Sequence, residues 1–329
     1  MGSGPDLPDP QPDELLIRNH ASSVNPIDCM RRRGYGHKLL SLAGAANFPL
    51  ILGNDFAGTV EAVPQNPSVN NPHNLQPGDR VFGALPPASK GTYAAYCLAK
   101  PQWLIPIPDD WSFEQAASIP YAALTGIAAL KDLRLTASST SGKKVLIQGG
   151  SGGVGSFCIQ LLAHWGAEVT TLSSRKNQQY CLELGAQHAL DYNRVLPGTL
   201  TGFDAVLAAF GFENTPHFHP RLLVRGGRYT TLKHPLLAWS DKFGVLPGAV
   251  AAAGLYGKRK LKWARSGRSY TWTLFSIDAN RMQLLSEALQ HSNIAPCLQQ
   301  TVPLSEISRA HELSETQRVR GKIVLDISA

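Results

Sequence analysis

The sequence predicts an α/β protein in two parts: a β-rich, barrel-like unit and a doubly wound parallel sheet. Three observations point there. The chain has 329 residues, enough for about two domains. Its first third carries short apolar runs separated by Gly and Pro turns. From Ser112 onward, strand-like and helix-like segments alternate, as the units of a parallel sheet do.

The elements follow in order. Residues 14–25 alternate apolar and polar and end in Asn-Pro, so they read as a strand. A basic, turn-rich stretch covers 31–36. Residues 49–63 hold apolar runs broken by Gly53 and Gly58, and the Asn- and Pro-rich 64–79 read as a surface loop. Residues 80–85 and 91–99 read as strands. Ser112 is a candidate N-cap, and Pro120 separates two helical stretches. A buried strand at 144–148 leads into a helix at 154–165, closed by Gly166. A strand at 168–172 and a helix at 176–184 follow, closed by Gly185. Further strands are expected at 188–190, 205–209 and 228–232. Residues 234–267 show no pattern that assigns them. A helix at 278–290, a strand near Gln300, a helix at 304–314 and a strand at 322–327 finish the chain. The β-rich domain is therefore placed at 1–123 with a return at 276–329, and the parallel-sheet domain at 124–275.

Composition narrows the function classes. With 43% hydrophobic and 17% charged residues the chain is neither disordered nor fibrous. No apolar run reaches the roughly 18–20 residues of a spanning helix. The five cysteines are scattered and include no C-x-x-C pair, which excludes a disulfide framework and argues for a reducing compartment. The first residues, MGSGPDLPDPQPDELL, show neither a secretory nor a mitochondrial signal, so the expected location is cytoplasmic. Charge is uneven. Residues 124–275 hold 18 basic and 7 acidic side chains, whereas the flanking segments are slightly acidic. The excess of cations in the middle suits an anionic ligand.

That ligand has a candidate seat. In VLIQGGSGGVGSFCIQLL, Gly150, Gly152 and Gly155 fit G-x-G-x-x-G between a buried strand and an apolar helix. Glycines permit the tight turn and a close approach of backbone to pyrophosphate, and the helix offers unpaired N–H groups at its positive end. Ser151, Gly153 and Val154 complete the turn. About 20 residues on, where an NAD site places an acid, the chain reads Ser173-Ser174-Arg175-Lys176. Two hydroxyls and two cations suit a 2′-phosphate, so NADPH is the expected cofactor.

These segments, with SVNPIDCMRRRGYG, LGNDFAG, PGDRVFG, GTYAAYCLA, AASIPYAALTGIAAL and LGAQHALDY in the same order, resemble the zinc-free medium-chain dehydrogenase/reductases of the quinone oxidoreductase (zeta-crystallin-like) group. Gln160, five residues beyond Gly155, belongs to the same pattern. The GYG, PYAALT and final Arg320-Gly321-Lys322 segments look most like the reticulon-4-interacting-protein-like members. The resemblance runs from about Pro12 to the end. It implies a GroES-like domain joined to a Rossmann domain, with hydride passing from NADPH to a quinone or enone. It implies Thr125, Tyr192, Thr231, Leu232, Phe275 and Lys322 as further cofactor contacts. Asn25, Tyr35 and Tyr121 are the candidates for the acceptor pocket, with Asp28 orienting their loop. Where zinc-dependent relatives supply Cys, His with Glu, and Cys, this chain has Asn25, Asn54 with Asp55, and Tyr121-Ala122, so no metal is expected. His217-Phe218-His219 lacks a third ligand and reads as a solvent-facing start before Pro220. Two departures stand out: the opening strand usual in relatives is missing before Pro12, and Ala208-Ala209 replace a polar strand end.

Two competing readings remain. KRKLKWARSGR packs six cations into residues 258–268 around Trp263, which suits nucleic acid or another anionic surface. Ala208 and Ala209 allow a redox-silent scaffold that only binds the cofactor. Residues 270–275, YTWTLF, are expected to be an edge strand that pairs with a second copy in a homodimer.

Overall fold

A computed structural model of the chain describes residues 11–42, 44, 50–64, 70–196, 198–211, 213, 215 and 217–328. It divides into two units. Unit 1 comprises 1–121, 277–286 and 296–329; unit 2 comprises 122–276 and 287–295. The segment before Gln11, Pro49 and part of the 64–79 loop lie outside the described residues.

Unit 1 is built on β1 (Leu15–Val24), β2 (Asp55–Ala62), β3 (Arg80–Ala84), β4 (Tyr96–Ala99), β5 (Leu104–Pro106), β12 (Leu298–Pro303) and β13 (Lys322–Asp326). The sheet runs β12-β13-β1-β2-β3-β5, and β4 pairs with the first half of β1. Leu15, Ile17, Phe56, Val60, Val81 and Leu104 form its apolar core. The 91–99 strand is only half formed. Asn19 Nδ2 donates to the carbonyls of Thr92 and Ala94, which removes them from a ladder before Tyr96. The basic turn at 31–36 is partly helical, because α1 (Pro26–Arg32) starts with Pro at its first turn and a capping box from Asn25 and Asp28. Asp28 thus sits on a helix, not a loop. A short α2 (His37–Ser41) follows. Ser112 caps α3 (Phe113–Ala117) through the Gln115 N–H, and Gln115 answers with its own side chain. α9 (Ala279–His291) and α10 (Ile307–Glu315) match the two helical stretches expected near the end.

Unit 2 is a six-stranded parallel sheet in the order β11-β10-β9-β6-β7-β8. Its strands are β6 (Lys144–Gln148), β7 (Glu168–Ser173), β8 (His188–Asp191), β9 (Phe203–Ala208), β10 (Leu223–Thr231) and β11 (Ser269–Trp272). α4 (Pro120–Asp132), α5 (Gly153–His164) and α6 (Gln178–Glu183) accompany them. The doubly wound sheet places β6 beside both β7 and β9, and the strand order reverses at that point. The undeciphered 234–267 stretch is two helices, α7 (Leu236–Phe243) and α8 (Val245–Ala264). Their packing hides the pattern. α8 crosses α7 at Gly248, where a side chain would overlap the Trp239 carbonyl and the Ser240 N–H. β11 is an edge strand, as expected, but it stops at Trp272. Thr273 instead turns its hydroxyl to Asp132 and Thr230.

Candidate functional site

The glycine turn lies at the carboxyl end of β6. Gly149 and Gly150 donate their N–H groups to the Leu172 carbonyl at 3.0 and 3.4 Å, pinning the turn to β7. A side chain on Gly150 would overlap Thr171 Oγ1, and one on Gly155 would overlap the Gly149 carbonyl and Gly150 Cα. Both glycines are therefore demanded by the protein's own packing. Gly152 is different. A Cβ there would meet only the Gly149 carbonyl oxygen, at an ordinary 3.5 Å. Its missing side chain leaves open space at the N-cap of α5, where a bound anion would lie. The first turn of α5 has no acidic residue, and no side chain caps it. The N–H groups from Gly153 to Gly155, Val154 included, precede the first intrahelical bond, from Ser156 to Gly152. The residues present thus fit a pyrophosphate.

The segment expected at the ribose lies next to it. Ser173 ends β7 and is buried. Ser174, Arg175 and Lys176 follow, and both cations are exposed. Asn177 Nδ2 donates to Ser151 Oγ at 3.0 Å, locking this segment to the glycine turn. Tyr192 follows β8, its N–H bonded to the Ser173 carbonyl at 3.2 Å and its ring exposed. A pocket of about 470 Å³ opens here, lined by Arg175, Gln178, Leu190, Asp191, Arg194 and Val195, among others. Arg194 is a second guanidinium that sequence reasoning missed. Its only signal is a position two residues beyond Tyr192. The Asp191 carboxylate is turned toward the Asn193 backbone and amide at 3.0 and 3.2 Å, with Arg194 4.0 Å away.

Other expected contacts are scattered more widely in unit 2. Thr125 is buried on α4, which lies against α5 where Gly126 meets Cys158 and Phe157. Thr231 and Leu232 follow one another at the carboxyl end of β10, and Leu232 donates to the Ala208 carbonyl. Phe275 lies three residues beyond β11 and is half-buried. Ala208 and Ala209 offer no polar side chain at the end of β9, but Gln148 stands beside them at the end of β6. Its amide accepts from the Phe210 N–H at 2.6 Å and donates to the Phe210 carbonyl at 2.5 Å. Lys233 stands 5.4 Å from the Phe210 ring. Gln160, the group-specific glutamine, bonds both backbone groups of Ala295.

Unit 1 holds a separate constellation. Register brings three strand ends together: Ser23 lies opposite Asp55, and Val24 lies opposite Ile323. Asn25 follows β1, Asp55 opens β2 and Lys322 opens β13, so their side chains converge. Asp55 accepts from Ser23 Oγ, from Asn25 Nδ2 at 2.8 Å, from Lys322 Nζ at 3.1 Å and from the Tyr121 N–H at 2.5 Å. Lys322 also donates to Asn25 Oδ1 at 2.5 Å. The pair is dry: the Lys322 and Asp55 side chains are 6% and 0% exposed. Asp28 joins through the Asn25 N–H at 2.8 Å and the Tyr93 hydroxyl at 3.1 Å. Its Oδ1 has no hydrogen-bond partner among the described residues. Burial pushes the Asp28 carboxyl up to about 6, against the downward pull of the Asn25 N–H and Lys322. Burial first, then the Asp28 and Asp55 carboxylates, raise the Tyr121 phenol and keep it protonated. Tyr35 adds to that shift, so its phenol shares the neighbourhood. Lys322, expected at the cofactor, bonds Asn25 and Asp55 here.

Two expectations are corrected. His217 is buried rather than solvent-facing, because Phe218 beside it packs on Tyr229 and Trp263. Trp263 is 1% exposed and belongs to the core of unit 2, so it is no stacking platform for a base. Among the described residues no three His, Cys, Asp or Glu side chains form a metal-holding group.

Residues 11–109 match the alcohol dehydrogenase GroES-like domain, and residues 184–325 match the zinc-binding dehydrogenase family. A GroES-like unit followed by a Rossmann sheet defines the medium-chain dehydrogenase/reductase class. The chain belongs to the quinone oxidoreductase group of that class, and it is an NAD(P)H-dependent oxidoreductase. It is 32% identical to the mouse NAD(P)H oxidoreductase RTN4IP1, mitochondrial, over 96% of this chain and 82% of the relative. The solved quinone oxidoreductase of Coxiella burnetii superposes with a TM-score of 0.78 at 29% identity, covering 98% of this chain and 92% of that one. A mycobacterial protein solved with NADPH gives 0.75 at 26%, covering 98% and 94%. The expectation of a cytoplasmic location is overturned by these comparisons, since the mouse, human, zebrafish and cattle relatives are all named mitochondrial.

Proposed function

We propose that the chain is an NADPH-dependent, zinc-independent reductase that delivers hydride to a quinone or conjugated enone. One observation carries the cofactor choice. The pocket after β7 and β8 is lined by Arg175 and Arg194, with Ser173, Ser174 and Lys176 beside Arg175 in the chain, and its one carboxylate, Asp191, bonds Asn193 and lies 4.0 Å from Arg194. A 2′-phosphate gains charged hydrogen bonds there, and a bare ribose gains none of them. The glycine turn supports the pyrophosphate. When bound, the cofactor supplies the hydride, and the chain's residues bind and orient.

The acceptor side rests on unit 1. Asn25 has both ends of its amide engaged, which fixes it as a rigid wall with one Nδ2 hydrogen to spare. Tyr121 stays neutral and offers its O–H to a carbonyl oxygen, with Tyr35 beside it. Asp55 meets four donors, Lys322 among them, so a metal would have to displace a buried ion pair to reach it. Quinones and enones are electrophilic enough to take hydride with hydrogen-bond help alone. The name of the Coxiella neighbour favours a quinone.

Loss of NADPH absorbance, followed against simple quinones, ubiquinone analogues and enones, tests this reading. Oxidation should depend on the acceptor, favour NADPH over NADH, and survive chelators. Arg175→Ala should weaken NADPH by about 1.5–3 kcal/mol and leave NADH nearly unchanged. Equal losses for both cofactors would remove Arg175 from the phosphate. Oxidation independent of every acceptor would leave only the scaffold reading. We also infer a homodimer through the bare edge of β11, flanked by the exposed Leu274. Light scattering giving one chain's mass at micromolar concentration would defeat it.

A further inference from the structure

We propose that α8 is an interfacial helix that docks the protein on an anionic lipid bilayer. α8 has two apolar faces. The first, with Gly248, Ala252 and Trp263, is buried against the rest of unit 2. The second is exposed. Leu246, Val250, Ala253, Gly257, Leu261 and Ala264 follow one another at steps of three or four residues, which puts them in one row along the helix. Leu246, Val250 and Leu261 are 74%, 63% and 51% exposed. Phe243, at the end of α7 just before the row begins, is 50% exposed.

Cations flank this row. Lys260 lies on one side, and Lys258, Lys262 and Arg265 on the other. α8 carries no acidic residue. No ion pair joins any of the four to a described carboxylate; Lys260 only approaches the Tyr256 ring, at 5.6 Å. By contrast Arg259, on the buried side, is held by Glu213 and Tyr270. The helix thus sorts its own cations: the inward one is neutralised and the outward ones are left for an external anion.

The occupant must satisfy an apolar row and its cationic flanks together. A polyanion such as RNA would satisfy the flanks only, and the one aromatic among them, Trp263, is buried. A second copy of this chain would add more uncompensated positive charge. A protein partner usually anchors on aromatic knobs in pockets, but this row is aliphatic and small, and nothing lies within 4 Å of a Cβ at Gly254 or Gly257. A bilayer with anionic headgroups meets both demands. The aliphatic row enters the acyl boundary, and the long Lys and Arg stems reach back to the phosphates. No helix among the described residues is long and apolar enough to cross a membrane, so α8 lies on the surface.

The test is vesicle flotation of the full chain, and it does not depend on the reductase reading. Vesicles of phosphatidylcholine alone are compared with vesicles carrying phosphatidylserine or cardiolipin. Binding is expected only to the anionic vesicles and should weaken with salt. Lys258→Ala with Lys262→Ala should lower partitioning roughly 30-fold. Leu246→Ser with Val250→Ser should lower it by at least roughly tenfold, with circular dichroism and NADPH binding unchanged. Absence of binding to anionic vesicles at low salt overturns the proposal. So does binding that ignores the apolar substitutions, which would make the helix a general polyanion site. Concentration-dependent self-association abolished by the same serines would assign the row to a second copy instead.

Discussion

The glycine turn of unit 2 and the polar cluster of unit 1 are both assembled at strand ends, but from different material. The turn is made of backbone. Its glycines sit within six residues of sequence, and two of the three are required by contacts inside the protein. The cluster is made mostly of side chains, from positions 23, 25, 28, 55, 93 and 322, with the Tyr121 N–H added; the pairing of β1, β2 and β13 brings Ser23, Asn25, Asp55 and Lys322 together. A backbone site tolerates change in neighbouring side chains but no added Cβ where the chain closes on itself. A side-chain site of buried charges tolerates neither loss of a partner nor a slip of register. The two therefore fail differently when perturbed.

The largest effect is expected from Asp55→Ala. It strands the Lys322 ammonium in a dry site and removes the acceptor for Ser23, Asn25 and the Tyr121 N–H. Breaking a buried pair this way costs about 3–5 kcal/mol, readable as a fall in denaturation midpoint. Asp55→Asn with Lys322→Met removes both charges together and should recover much of that loss. If Asp55→Ala proves as stable as the parent, the cluster is not a buried ion pair, and its contrast with the turn collapses.

These two regions also differ in how far the sequence discloses them. G-x-G-x-x-G is local, so its spacing, the strand before it and the helix after it are all readable from one stretch. Ser173, Arg175 and Lys176 are readable because they stand at a fixed distance from it. Asn25 and Asp28 are legible by resemblance alone, and the capping box they form is seen only in the structure. Their link to Lys322 is not, because it depends on β13 returning beside β1 across nearly the whole chain. Resemblance alone implies Lys322 at the cofactor and says nothing of its bonds to Asn25 and Asp55. α7 and α8 are illegible for another reason: α8 is apolar on two faces, which blurs the single-stripe pattern that periodicity detects. Arg194 belongs to no motif at all; only the fold of the segment after β8 brings it to the pocket with Arg175.

The next effect separates glycines within the turn. Gly155→Ala forces a Cβ into the Gly149 carbonyl and Gly150 Cα, where neither side has a flexible end to yield. Overpacking of this kind costs up to about 3 kcal/mol of stability. Gly152→Ala meets no such obstacle, and its folded state should melt like the parent's. NADPH affinity, measured by fluorescence titration, should nevertheless fall, because the new methyl occupies space at the N-cap of α5. Parent-like affinity in Gly152→Ala would mean that the open space is not where the pyrophosphate goes.

The smallest effect tests whether the side-chain cluster responds to pH in a way that the backbone turn does not. Asp28 has a folded-state pKa raised from 3.8 to about 6, chiefly by burial. Between those values its folded form therefore holds a proton that the unfolded chain has already released. Below about 4 both states are protonated, and the full stabilising contribution is present. As pH climbs through 6 that contribution is lost, because the carboxylate must then be kept ionised in a dry site with Oδ1 unpaired. Asp28→Asn cannot ionise, so the parent's stability relative to it should fall by about 1–3 kcal/mol between pH 4 and 7, then level off. Both chains must be unfolded by denaturant at each pH, so that other titrating groups cancel in the difference. A difference flat across that window would show that Asp28 ionises at its ordinary pKa, and that Lys322 and the Asn25 N–H compensate its burial in full. A difference that rises with pH in the parent's favour would reverse the sign, and would make Asp28 a charged partner of the cluster rather than a strained one.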